Sequence, residues 1–149
     1  MTAPHADGIP SATIEALRSA LALGPRVRLA VIFGSAAKGR LHAGSDLDVG
    51  VVPDDPAWTL GDELNLAVRL TRAVGREVDL VRLDLAPALL RWEVARAHVP
   101  IVAEPKAELS RFVAHAALDY ADMADAIRSA QVGTLRRLRA SGRRGVEAR

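Results

Sequence analysis

Apolar and polar positions along this chain alternate between two spacings, one helical and one extended. Ile14, Leu17 and Leu21 fall on one face of a helix expected from Ser11 to Leu23, with Ser11 or Thr13 as its cap and Gly24-Pro25 as its stop. Arg26 to Phe33 reads as a first strand, Ala36 to Leu41 as a short helix and Asp46 to Val52 as a second strand. The second strand breaks at Pro53-Asp54-Asp55-Pro56, where the two aspartates serve a turn and a helix cap. Leu60, Leu64, Ala67, Val68 and Thr71 then follow helical spacing up to Gly75, which fits a C-terminal cap, with Trp58 packing near the start. In a third strand, Arg76 to Leu83, Val78 and Leu80 face one way and Glu77, Asp79 and Val81 the other. A helix from Asp84 to Ala97 carries Pro87 in its first turn and presents Leu89, Leu90, Val94 and Ala97. Val99 to Ala103 is an edge strand, because Pro100 cannot donate a ladder hydrogen bond. From Pro105 to about Arg139 a helical segment, divided at Gly133, offers Leu109, Phe112, Val113, Ala116, Tyr120, Met123, Ile127 and Leu135 either to cover the sheet, the role expected first, or to meet a partner helix.

This succession describes an α/β chain: a small mixed sheet flanked by helices and followed by a C-terminal helical segment. Its 149 residues read as one domain, with an α/β core over about 11–104, helix over about 105–140 and a basic tail over 141–149. Half of the residues are apolar and few are aromatic, so the core is expected to be Ala, Leu and Val. The absence of cysteine removes disulfides, thiolate metal sites and cysteine nucleophiles together and points to a cytoplasmic setting. Met1 to Pro10 lacks the basic-then-apolar order of a signal peptide, and no apolar run approaches a membrane span. Arg136, Arg137, Arg139, Arg143, Arg144 and Arg149 crowd the C-terminal end, fitting a solvated terminus, a nucleic acid or an acidic partner. Without interleaved aromatics to stack bases, the tail alone does not make this a nucleic-acid-binding protein, though it leaves such binding open.

The chemistry concentrates between Ile32 and Val52. One apolar run stops at Gly34-Ser35, and the next opens with Asp46 and Asp48, two residues apart. On an extended strand such a pair points to one side while Leu47 and Val49 point into the core. Two carboxylates about 4–5 Å apart repel by roughly 1 to 4 kcal/mol, so the pair calls for a cation. Hard divalent ions such as Mg²⁺ take carboxylate, water and phosphate oxygens. Gly34 and Ser35, between strand and helix, present N–H groups and a hydroxyl suited to an anion. Ser45 is placed to close the turn before the second strand.

Gly34-Ser35-Ala36-Ala37-Lys38-Gly39 followed by Gly44-Ser45-Asp46-Leu47-Asp48 resembles the motif of the DNA polymerase β-type nucleotidyltransferase superfamily. More narrowly, it is similar to the minimal nucleotidyltransferases, the antitoxin half of HEPN/MNT pairs. The resemblance implies a polymerase β-like fold and two-metal transfer of AMP from ATP to a hydroxyl. It implies Asp46, Asp48 and Asp79 as catalytic and metal-holding carboxylates, with Asp79 supplied by the strand after the helix and Glu77 its rival. Gly34, Ser35, Lys38 and Ser45 become the nucleotide-binding set; Lys38 departs from the arginine common at that position, replacing a bidentate fork with a point charge. The implied acceptor is a tyrosine of a HEPN ribonuclease toxin, which this protein would neutralise by AMPylation within a hetero-oligomer. Two alternatives stand beside it: transfer to a small molecule, as in aminoglycoside nucleotidyltransferases, and an antitoxin that masks its toxin without catalysis.

Overall fold

The computed structural model describes the backbone from residue 8 to 147 and side chains up to 143. Arg144 and Arg149 of the expected basic tail, and the stretch from Met1 to Asp7, lie outside the described side chains. The elements are α1 (Ser11–Ala22), β1 (Val27–Phe33), α2 (Gly34–Ala37), β2 (Leu47–Pro53), α3 (Leu60–Val74), β3 (Val78–Arg82), α4 (Ala88–Arg96), β4 (Val99–Ala103) and α5 (Ala107–Glu147). The strands form one mixed sheet in the order β3-β2-β1-β4. β1 runs antiparallel to both β2 and β4, while β2 and β3 are parallel and joined through α3. Pro100 lies on β4, an edge strand, where a missing N–H is tolerated.

Strand alternation gives the sheet two apolar faces. On one, Ala30, Ile32, Leu47, Val49, Val51 and Val78 meet Leu17 and Leu21 of α1 and Leu66 and Leu70 of α3. On the other, Leu29, Val31 and Leu83 meet Val94 of α4 and Phe112 and Ala116 of α5. Burying a leucine of this kind is worth about 1.5–3 kcal/mol, which makes the two sandwiched layers the main stabilising term. Among the described residues no helix is long and apolar enough to cross a membrane.

Several elements depart from the expectations of local pattern. α1 begins after Pro10, whose carbonyl accepts from the Thr13 amide at 2.9 Å, so neither Ser11 nor Thr13 caps it. α2 starts at Gly34 rather than Ala36 and ends at Ala37, because the amides of Lys38 and Arg40 both turn back to the Ser35 carbonyl. Asp55 accepts from the Ala57 amide within the turn, but the cap of α3 is Thr59, reciprocally bonded with Asp62. α3 buries Leu66 and Leu70 and leaves Leu60, Leu64 and Val68 exposed, while Ala67 and Thr71 of the expected face are half-buried, so the buried arc is rotated from the expected one. Its rotation is set where Thr71 Oγ1 accepts the Val78 amide at 3.0 Å and where α1 packs beside it.

α4 starts at Ala88 rather than Asp84, because both Asp84 oxygens accept from Arg82, at 2.8 and 2.6 Å, and hold that residue in the preceding turn. Its buried residues are Val94 and Ala95, while Leu89 is exposed. α5 passes through Gly133 unbroken; a glycine costs a helix about 1 kcal/mol relative to alanine, less than its good helix-forming neighbours supply together.

Candidate active site

β1 and β2 run antiparallel, so the end of one lies beside the start of the other: Phe33 pairs with Asp48. β3 lies parallel on the far side of β2, and Asp48 pairs with Asp79 in register. Alternation then places both carboxylates on the face that carries Val52 and Val81. Asp46 stands one residue before β2, exposed, at the same corner of the sheet. Strand pairing therefore sets Asp48 beside Asp79, and Asp46 lies near enough for its charge to act on Asp48.

Their mutual influence is visible at Asp48. Its carboxyl is pushed above the ordinary range, first by partial burial, then by the charge of Asp79 and then by that of Asp46. Among the described residues no Lys, Arg or His side chain forms an ion pair with any of the three. No three His, Cys, Asp or Glu side chains among them stand close enough to form a ready-made metal cage either.

Gly34 is the tightest part of the corner. Its φ is 68°, in the left-handed region, and a Cβ built on it would lie 2.2 Å from Asp48 Oδ2. No other residue leaves room for the carboxylate and accepts this backbone equally well. Spacing identified Gly34 through its N–H; the close approach to Asp48 has no sequence signal beyond the glycine itself. Ser35 follows, partly buried in α2, and Lys38 caps that turn with its side chain exposed.

Ser45 closes the loop before β2: its Oγ accepts the His42 amide at 3.1 Å and its own amide donates to the His42 carbonyl at 3.0 Å. That loop is held from a distance by Arg76, whose guanidinium donates to the carbonyls of His42 and Ser45 at 3.1 and 3.2 Å. Arg76 was not among the expected site residues. Glu77, the expected rival of Asp79, lies before β3, is exposed, and pairs with neither Arg76 nor Arg82; Arg82 instead bonds Asp84 and Glu63 and lies over the Trp58 ring.

The family model described as polymerase beta, nucleotidyltransferase matches residues 15–107, more than half of the chain and all four strands. The chain belongs to the polymerase β nucleotidyltransferase family. No curated protein matches the sequence. Among solved structures, this nucleotidyltransferase is similar to a chain of a toxin–antitoxin crystal structure with AMP-PNP, at 26% identity and a TM-score of 0.64, over 82% of this chain and 94% of that one. It shares its fold with a chain of the MntA-HepT toxin–antitoxin structure, at 22% identity and a TM-score of 0.64, covering 83% and 96% of the two chains. A complex of tri-AMPylated Shewanella oneidensis HEPN toxin with MNT antitoxin contains the same fold at 24% identity and a TM-score of 0.59, covering 82% and 91%.

Within the nucleotidyltransferase, Asp79 and Glu77 share a strand face by alternation, yet only Asp79 pairs with Asp48 and acts on its charge. Asp79→Asn is therefore expected to lower nucleotide transfer by roughly 10²-fold or more, and Glu77→Gln to change it little. Transfer rates of the two purified variants decide. Loss in Glu77→Gln with normal transfer in Asp79→Asn would move the site onto Glu77.

Proposed function

We propose that this protein transfers AMP from ATP to a hydroxyl of a cognate HEPN-type toxin, acting as the antitoxin by AMPylation. The observation that carries the reading is the register pairing of Asp48 with Asp79 beside Gly34, with Asp46 adding its charge to the same corner. The similar chain crystallised in a toxin–antitoxin assembly with an ATP analogue supports both the nucleotide and the partner. A complex of the same fold in which the HEPN toxin is AMPylated supports the direction of transfer.

Three carboxylates with no cationic partner among the described residues form a hard, all-oxygen donor set, which fits Mg²⁺. Asp46, Asp48 and Asp79 would hold the ions, which when bound neutralise the triphosphate and increase the acidity of the acceptor hydroxyl. The chain's own part is positional and electrostatic. Gly34 and Ser35 present the backbone and hydroxyl that fix the phosphates, Lys38 and the Ser45 loop border them, and Arg76 keeps that loop in place. The acceptor oxygen attacks the α-phosphorus, the bond between α- and β-phosphates breaks, and pyrophosphate leaves. Asp79, on the exposed side of the pair, receives the hydroxyl proton.

ATP is expected to bind at least about tenfold more tightly in Mg²⁺ than in EDTA, since uncompensated carboxylates repel phosphates. Calorimetry in the two buffers measures this, and equal affinities would remove the metal-dependent reading. Incubation with α-labelled ATP and the purified partner is expected to label the partner and release pyrophosphate. Binding of the partner without label under those conditions would leave a masking antitoxin instead.

A further inference from the structure

The distal half of α5 carries an exposed apolar stripe beside an open groove. The first turns of α5 are packed: Phe112 and Ala116 enter the core, and Tyr120 stacks on Trp92 with ring centroids 5.2 Å apart. Beyond Ala124 every side chain up to Arg143 is exposed except Gly133, which is intermediate. Ile127, Leu135 and Leu138 are 51%, 55% and 64% exposed, and Ile127 and Leu135 line an open groove with Ala130, Gln131 and Thr134. At roughly 100° of rotation per residue these positions form one stripe, bordered by Arg128 and Arg139 on one side and Arg137 on the other.

Residues 124–143 contain five arginines and a single carboxylate, Asp125, which is already 2.7 Å from Arg128. A second copy of this helix would oppose arginines with arginines: antiparallel pairing of the stripes brings Arg128 and Arg139 onto the same flank. A nucleic acid would match the charge but leave the Ile and Leu stripe uncovered, and no aromatic residue between 121 and 143 can stack a base. An apolar helical stripe with cationic borders is complementary to an apolar helix with anionic borders.

We propose that the distal half of α5 is a docking site for an amphipathic helix of a partner protein whose apolar face is flanked by Asp and Glu. The stripe from Ile127 to Leu138 rises about 16 Å, enough for three turns of such a helix. This assignment stands apart from the carboxylate corner and holds whether or not nucleotide is transferred there.

The test uses the full-length chain and three fluorescent probes in fluorescence anisotropy: a synthetic helical peptide with a leucine stripe flanked by Glu, the same peptide with Lys for Glu, and a single-stranded RNA. The Glu-flanked peptide is expected to bind at least about tenfold more tightly than the Lys-flanked one. Leu135→Asp with Leu138→Asp should weaken it by about tenfold or more. Arg137→Gln with Arg139→Gln, which keeps the stripe, should reduce the preference for Glu over Lys. Circular dichroism monitors the helix; if the aspartate variant loses helicity, the arginine variant decides. Equal affinity for the two peptides, RNA binding tighter than the Glu-flanked peptide, or a stripe-dependent dimer in sedimentation would each overturn the proposal.

Discussion

Asp48→Asn is expected to abolish nucleotide transfer, by at least about 10²-fold, while leaving the folded chain as stable as before or more so at neutral pH. Asp48 is the carboxylate on which the others converge: it faces Phe33 across one ladder and Asp79 across the next, with Gly34 against its oxygens. Asparagine keeps the shape and removes the charge. What is lost is the anionic centre of the site; what is relieved is first the partial burial of a charge and then its repulsion by Asp79 and Asp46. Wild-type levels of transfer in this variant would exclude the corner as the reacting site. Transfer lost together with a large drop in melting temperature would make Asp48 a structural residue instead.

The pH dependence of the same comparison has a definite sign. The carboxyl of Asp48 is raised in the fold, so its contribution to stability is fully present below the ordinary carboxylate range and is lost as pH rises through the raised value. The stability advantage of Asp48→Asn should therefore open over that interval and close below it. Asp84 has the opposite sign: hydrogen bonds from Arg82 hold its carboxyl low, so its contribution is present above the ordinary range and is lost as pH falls through the lowered value. Comparing wild type with Asp48→Asn in each buffer cancels the Asp84 effect, which both proteins share. Thermal unfolding across acidic and neutral buffers measures the difference.

The corner was legible in the sequence because its parts are local. Asp46 and Asp48 need only the i, i+2 geometry of a strand start, and Gly34-Ser35 needs only the end of an apolar run. Alternation with Val78 and Leu80 assigned Asp79 only a face, which Glu77 shares; the choice between them came from the family resemblance. The pairing of Asp79 with Asp48 was not legible, because the parallel register is set by a bond such as that from the Leu47 amide to the Glu77 carbonyl, 2.9 Å long and 30 residues apart. The same limit explains α3. Leu60, Leu64 and Val68 form as regular an apolar series as Leu66 and Leu70, and only packing against α1 and β3 selects the buried arc. Arg76 left no trace at all: its hold on the carbonyls of His42 and Ser45 spans 34 and 31 residues and follows no periodicity. Propensity likewise did not foresee an unbroken α5, since one glycine is a small cost in a helix of 41 residues.

Gly34→Ala should be nearly as damaging to transfer as loss of Asp48 itself, for a reason that can be separated from backbone strain. A methyl group at this position meets two obstacles. The left-handed backbone, at φ 68°, costs a non-glycine residue roughly 1–2 kcal/mol. The added carbon would also lie 2.2 Å from Asp48 Oδ2, so the carboxylate must rotate away. Displacing a reacting-site group by about 1 Å can cost on the order of 10²-fold in rate, so transfer should fall by that order while the chain still folds. A double-mutant comparison separates the two obstacles. In Asp48→Ala the opposing oxygens are gone, and Gly34→Ala should then destabilise only by its backbone term, measurably less than in the wild-type background. Equal destabilisation in both backgrounds would mean that the methyl group does not press on Asp48, and the tight fit between the glycine turn and the central carboxylate would have to be abandoned.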